Sequence, residues 1–147
     1  MSFAKKGIRS KNEITLDMAR RIIEAVKAEA ERIGVKAVVA VCNSGARLVS
    51  VDSMDDAYIA SYDIAVGKAY TCASIKMPTK ALKHLSQPGA DLYGIQHTNS
   101  GQIVIFGGGE PLFYNGECIG AVAVSGGSED EDTYLGEYGL RVFEGEI

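Results

Sequence analysis

Pro111–Val124 reads PLFYNGECIGAVAV. Two β-rich runs, Pro111–Tyr114 and Glu117–Val124, flank Asn115-Gly116, a pair that accepts the positive φ demanded at both positions of a two-residue hairpin turn. Upstream, Gln102–Phe106 (QIVIF) reads as another strand. Lys36–Cys42 (KAVVAVC) and Arg47–Asp52 (RLVSVD) form an earlier pair, joined by the turn-rich Asn43-Ser44-Gly45-Ala46. Strands joined by hairpins pair antiparallel, whereas a parallel sheet needs a long crossover between neighbours. The expected class is therefore α/β of the α+β type: an antiparallel sheet of about five strands flanked by helices, in a single domain.

The helices are legible on either side. Thr15 is a good N-cap, and Leu16, Ala19, Ile22, Ile23, Val26, Ala30 and Ile33 recur at helical spacing opposite Arg20, Arg21, Glu24, Lys27 and Glu31. Gly34 stands where a left-handed residue closes such a helix. Ala57–Lys76 repeats the pattern through Ile59, Tyr62, Val66, Ala69 and Ala73, and Pro78 ends it. A short helix is expected at Thr79–Leu85, and Ala90–Gly101 reads as loop. Ser128 and Glu131 have capping-box spacing and open a final helix running to about Glu144. Residues 1–14 read as an N-terminal extension, and 15–147 as the domain.

A chain of 147 residues with 46% hydrophobic and 23% charged residues suits one globular unit, burying about 70% of its unfolded surface. No apolar run reaches the ~18 residues of a membrane span, and MSFAKKGIRSKNEI lacks a signal-peptide core, so no membrane partner is expected. Cys42, Cys72 and Cys118 cannot all pair and form no CxxC, which fits a reducing cytoplasm. The net charge of −4 argues against a nucleic-acid partner. Residues 1–36 hold nine of the fifteen Lys/Arg and residues 110–147 nine of the nineteen Asp/Glu, a complementarity that can steer self-association.

Few residues advertise chemistry. Phe106-Gly107-Gly108-Gly109-Glu110-Pro111-Leu112 is not a phosphate loop, because Leu112 falls where GxGxxG needs its third glycine and a strand follows. The block is either a turn or bulge, or a rim where a ligand approaches backbone that has no Cβ. Glu129-Asp130-Glu131-Asp132 after Ser125-Gly126-Gly127-Ser128 complements the positive end of a helix, with a weak cation site as the alternative. Lys68 lies inside an apolar helix; it either pairs with a carboxylate or snorkels outward, or it is a reactive amine whose pKa burial has lowered. His84 and His97 form neither HxxxH nor HExxH, which gives zinc little support.

Five stretches carry a family resemblance. They are the helix from Leu16 to Ile33; Val51–Ala57 (VDSMDDA); Ala60–Ala65 (ASYDIA) running into Lys68–Thr71 (KAYT); Phe106–Leu112 (FGGGEPL); and Ile119–Gly127 (IGAVAVSGG), followed by acids ending at Asp132. Spanning roughly residues 16–140, the chain resembles the GlcG/HbpS-like family, which includes haem-binding proteins and the C-terminal domain of PduO-type proteins. The resemblance implies an antiparallel sheet between helices, homo-oligomeric assembly, and haem or a related tetrapyrrole as cofactor. It also implies a place beside glycolate, propanediol or microcompartment pathways. The chain departs from the extracellular iron-binding branch in having no ExxE pair, and Asp130-Glu131-Asp132 replaces the usual Glu-Gln-Asp. Its length leaves no room for the separate adenosyltransferase domain of PduO-type proteins.

The expectation is a cytoplasmic, microcompartment-associated or free, tetrapyrrole-binding accessory protein without strong catalysis. Its cofactor-binding residues are His97, Phe106, Gly107, Gly108, Gly109 and Pro111. His97 is the candidate iron ligand because it precedes the glycine block in a loop and imidazole is a common haem ligand. One alternative is an enzyme acting on a small metabolite, with Lys68 as catalytic residue and the glycine-rich rim as site. The other is a structural partner within a pathway assembly.

Overall fold

The computed structural model describes residues 3–147. After a short exposed helix α1 (Phe3–Gly7), the elements run α2 (Leu16–Arg32), β1 (Val38–Asn43), β2 (Leu48–Ser53), α3 (Ile59–Ile75), α4 (Thr79–Leu85), two 3-10 turns (Ile95–His97 and Asn99–Gly101), β3 (Gly109–Tyr114), β4 (Glu117–Ser125) and α5 (Glu129–Phe143). The sheet is antiparallel in the order β2-β1-β4-β3, so β1 and β4, far apart in sequence, pair along the centre.

β4 shows why both faces are buried. Val122 and Val124 point to one side and Ala121 and Ala123 to the other, following the two-residue period of a strand. The valine face, with Val39, Val41 and Leu112, meets Ile22, Ile23 and Val26 of α2 and Leu135 of α5. The alanine face, with Val38, Ala40 and Cys42, meets Ala65, Ala69, Cys72 and Ala73 of α3. Small residues on both sides of that second layer bring α3 close to the sheet. Each fully buried Val or Leu adds roughly 1.5–3 kcal/mol relative to exposure, so both layers contribute substantially to stability.

The local signals behave as their chemistry dictates. The Thr15 side chain accepts from the Met18 N–H at 3.1 Å. At the other end of α2, Gly34 adopts φ +80°, while Gly34 and Val35 donate to the Glu31 and Ala30 carbonyls, the paired closure of a Schellman motif. Asn115 and Gly116 both take positive φ in the β3–β4 turn. Ser128 and Glu131 form the reciprocal capping box of α5. Asn12 donates twice to Glu117, and Ile14 is buried in the valine-face core, so the end of the N-terminal segment is docked on the domain.

The sheet has four strands, correcting the expected five. Gln102–Phe106 joins no strand. It runs beside α3, where the Thr71 hydroxyl accepts from the Val104 N–H at 2.9 Å and Ile103 is buried. Its apolar content packs against a helix, and a side chain satisfies a backbone donor that a strand neighbour would otherwise have held. β3, which does carry Pro111, is an edge strand, the position in a sheet that tolerates proline.

Candidate functional site

Lys68 projects from α3 into the gap between the end of β4, the glycine block and the first turn of α5. It is completely buried. Its Nζ donates to the Val124 carbonyl at 2.8 Å and to Asp132 Oδ2 at 3.2 Å, and lies 5.1 Å from the centroid of the Phe106 ring. Asp132, also buried, accepts from the Gly127 N–H at 2.8 Å through its other oxygen, and more distantly from Gly126. Burial pulls the Lys68 amine below the ordinary lysine value and pushes the Asp132 carboxyl above the ordinary aspartate value. Their mutual attraction opposes both shifts without reversing them.

Gly107–Gly109 is buried beside this pair. The Gly107 N–H donates to Glu129 at 2.8 Å, the Gly108 carbonyl accepts from Val124 at 3.0 Å, and the Gly109 N–H donates to the Thr79 hydroxyl at 3.0 Å. Gly108 has φ +128°, and a Cβ there would lie 2.5 Å from the Val124 carbonyl and 2.6 Å from Lys68 Nζ. The close approach that this glycine permits is thus to the chain's own β4 and Lys68. Pro111 is likewise buried, opposite Ala121 in the sheet.

A groove of about 370 Å³ opens next to the pair. Its apolar walls are Ala60, Ile64, Phe106 and the ring of Tyr58, while Ser61, Ser125, Glu129 and Asp132 supply the polar atoms. Glu129 is held by Lys83 at 2.5 Å, as well as by Gly107, and both contacts keep its carboxyl below the ordinary glutamate range. Tyr58 also borders a neighbouring cleft of about 490 Å³ with Lys36, Asp56 and Glu131. That cleft is walled by charge and suits water better than an apolar ligand.

Of the residues singled out in the sequence, the structure brings together Lys68, Phe106 and Gly107–Gly109. His97 is apart from them: it is the exposed last residue of a half-buried 3-10 turn and does not line the groove. His84 is exposed on α4. The four acids of α5 have separate duties, since Glu131 closes the capping box, Glu129 holds Gly107, Asp132 pairs with Lys68 and Asp130 faces solvent. Among the described residues, no three His, Cys, Asp or Glu side chains converge as a metal site. Cys42 and Cys72 are buried free thiols, and burial pushes Cys42 up to about 12, which makes it an inert packing residue. Sequence reasoning missed Tyr58, Ser61 and the distinct role of Asp132. The signal for Asp132 was available: it shares the inward stripe of α5 with Leu135, Gly136 and Gly139, at spacings of three and four.

Known proteins share this fold. Residues 14–141 match the family described as haem degrading protein HbpS-like. A 15.0 kDa protein from the dhaT–dhaS intergenic region of Citrobacter freundii is 45% identical over 130 residues, 88% of this chain and 92% of that protein. The crystal structure of Klebsiella pneumoniae protein ORFY superposes with a TM-score of 0.89 at 38% identity, covering 92% of this chain and 94% of the other. The PduOC:heme complex superposes at 0.85 with 29% identity, covering 88% and 94%. With the match running from the last residues before α2 into the last turn of α5, the chain belongs to the HbpS-like family.

Proposed function

We propose that this protein binds haem or a related tetrapyrrole in the groove bordered by Tyr58 and Phe106. In this reading it serves as a cytoplasmic, homo-oligomeric accessory protein of a small-molecule catabolic pathway. The observation that carries the proposal is the lining of the groove: two aromatic rings with Ala60 and Ile64, open on one side so that a flat ligand can extend past the walls. The family description and the haem held by the PduOC relative support the same ligand.

The donor set fits. Haem without a covalent attachment motif needs apolar walls and one axial side chain, and tyrosine serves as such a ligand elsewhere. Tyr58 is 74% exposed at the groove mouth, so its phenol is accessible. Glu129 and Asp132 are already held by lysines and backbone amides. Bound haem would supply the iron chemistry, while Phe106, Ala60 and Ile64 exclude water from one face of it. His97 does not line the groove and is not part of this donor set.

An absorbance titration of the purified protein with haem tests the proposal. The expected result is a saturable Soret shift at micromolar protein. A spectrum that stays that of free haem contradicts it.

A further inference from the structure

Among the described residues, four acidic or basic side chains are buried: Glu29, Lys68, Glu110 and Asp132. Glu29 is taken up by Arg32 and Tyr134, and Glu110 faces Lys80, so each belongs to a network reaching the surface. Lys68 differs. It is the largest fully buried side chain of the domain, in a layer otherwise built of Ala, Val and Cys. Packed hydrophobic residues are often as stabilising as a buried ion pair or more so, which leaves the pair without a stability rationale. The fold nevertheless makes room for it, since any side chain at Gly108 would collide with Nζ. The amine is also close to open space: Asp132 and Phe106, both in contact with it, line the groove.

We propose that Lys68 and Asp132 form a reversible covalent binding site for small, uncharged carbonyl compounds, short aliphatic aldehydes above all, which enter through the groove. Three features choose this class. Nζ is a primary amine with a carboxylate at 3.2 Å to take its proton. The residues lining the groove include Glu129 and Asp132 but no Lys or Arg that could pair with the carboxylate of an oxo acid, which favours neutral carbonyls. The walls of Ala60, Ile64 and Phe106 suit a short alkyl chain, and the Ser61 and Ser125 side chains offer hydroxyls to the carbonyl oxygen. Phe106 is 38% exposed and its ring lies between the groove and the amine, 5.1 Å from Nζ, so access to Lys68 in this proposal requires the ring to move aside.

The chemistry balances without a redox partner. Asp132 takes a proton from the Lys68 ammonium, and the freed Nζ lone pair forms a C–N bond to the carbonyl carbon. The π pair moves to oxygen, which takes that proton from Asp132 while the nitrogen passes another back to Asp132. Asp132 then returns its proton to the hydroxyl of the carbinolamine. Water leaves as the C–O bond breaks, and the nitrogen lone pair forms the C=N bond of a protonated imine beside the Asp132 carboxylate; hydrolysis reverses every step. Burial, by lowering the lysine pKa, raises the fraction of neutral amine available for C–N bond formation. The proposal is independent of haem binding, and its test uses no haem.

The experiment is borohydride trapping on the full-length protein with acetaldehyde as probe, read by intact mass and peptide mapping. The expected product is an N-ethyl group on Lys68, formed at aldehyde concentrations that leave the exposed Lys76 and Lys80 nearly unmodified. Replacing the proton acceptor by D132N slows labelling by about a hundredfold. F106A, which removes the covering ring and keeps the pair, speeds it. Labelling of Lys68 no faster than of Lys76, or a labelling rate unmoved by F106A, overturns the proposal. Pyruvate trapped at Lys68 in preference to acetaldehyde overturns the assignment of an uncharged ligand.

Discussion

At the scale of single residues, the Lys68–Asp132 pair is most sensitive to being broken on one side. Asp132→Ala leaves a lysine buried without its carboxylate, and the expected loss is about 3–5 kcal/mol in urea unfolding. Lys68→Met combined with Asp132→Asn removes both charges and should recover most of that loss; a double variant as unstable as Asp132→Ala would contradict this view of the pair. Glu29 makes a separate prediction. Hydrogen bonds from Arg32 and Tyr134 lower its carboxyl from 4.5 to about 2. A carboxyl depressed in the folded state stabilises above its unfolded value and loses that contribution as pH falls through its folded value. Urea midpoints should therefore drop between about pH 4.5 and pH 2. Arg32→Ala should flatten the drop, and an unchanged profile would remove Glu29 as its cause.

At the scale of elements, α5 links stability to the site, because its capping box fixes the turn that presents Asp132. Ser128→Ala should lower stability by about 1 kcal/mol, measured by chemical denaturation, since the Glu131 N–H loses its cap. A change below a few tenths would mean that the cap is redundant. The elements legible in the sequence were those whose signals are local. Thr15, Gly34, Asn115-Gly116 and the Ser128–Glu131 pair each state their own backbone conformation. Gln102–Phe106 was not legible, because its β-rich composition is satisfied by the flank of α3 and by the Thr71 hydroxyl. The site was half legible. Lys68 and Phe106 stand out as a buried charge and an aromatic beside glycines, whereas their meeting with Asp132 depends on how α3 and α5 lie across the sheet.

At the scale of the whole molecule, Tyr58 and Phe106, both exposed, border the groove, and the exposed Ile59 and Tyr62 extend the apolar surface along the start of α3. Exposed apolar patches often mark interaction sites, and the proposed homo-oligomer would draw on this one. Light scattering at physiological salt should return a multiple of 15.6 kDa, and the mass of one chain would contradict assembly. The central claim, that a tetrapyrrole sits between Tyr58 and Phe106, is tested most directly by comparing the haem affinity of the wild-type protein with that of a Tyr58→Ala/Phe106→Ala variant that retains the wild-type melting temperature. A saturable Soret shift in the wild type, weakened at least tenfold in the variant, a difference of about 1.4 kcal/mol, is the expected result. Equal affinity in the two proteins, or no saturable binding in either, would contradict it.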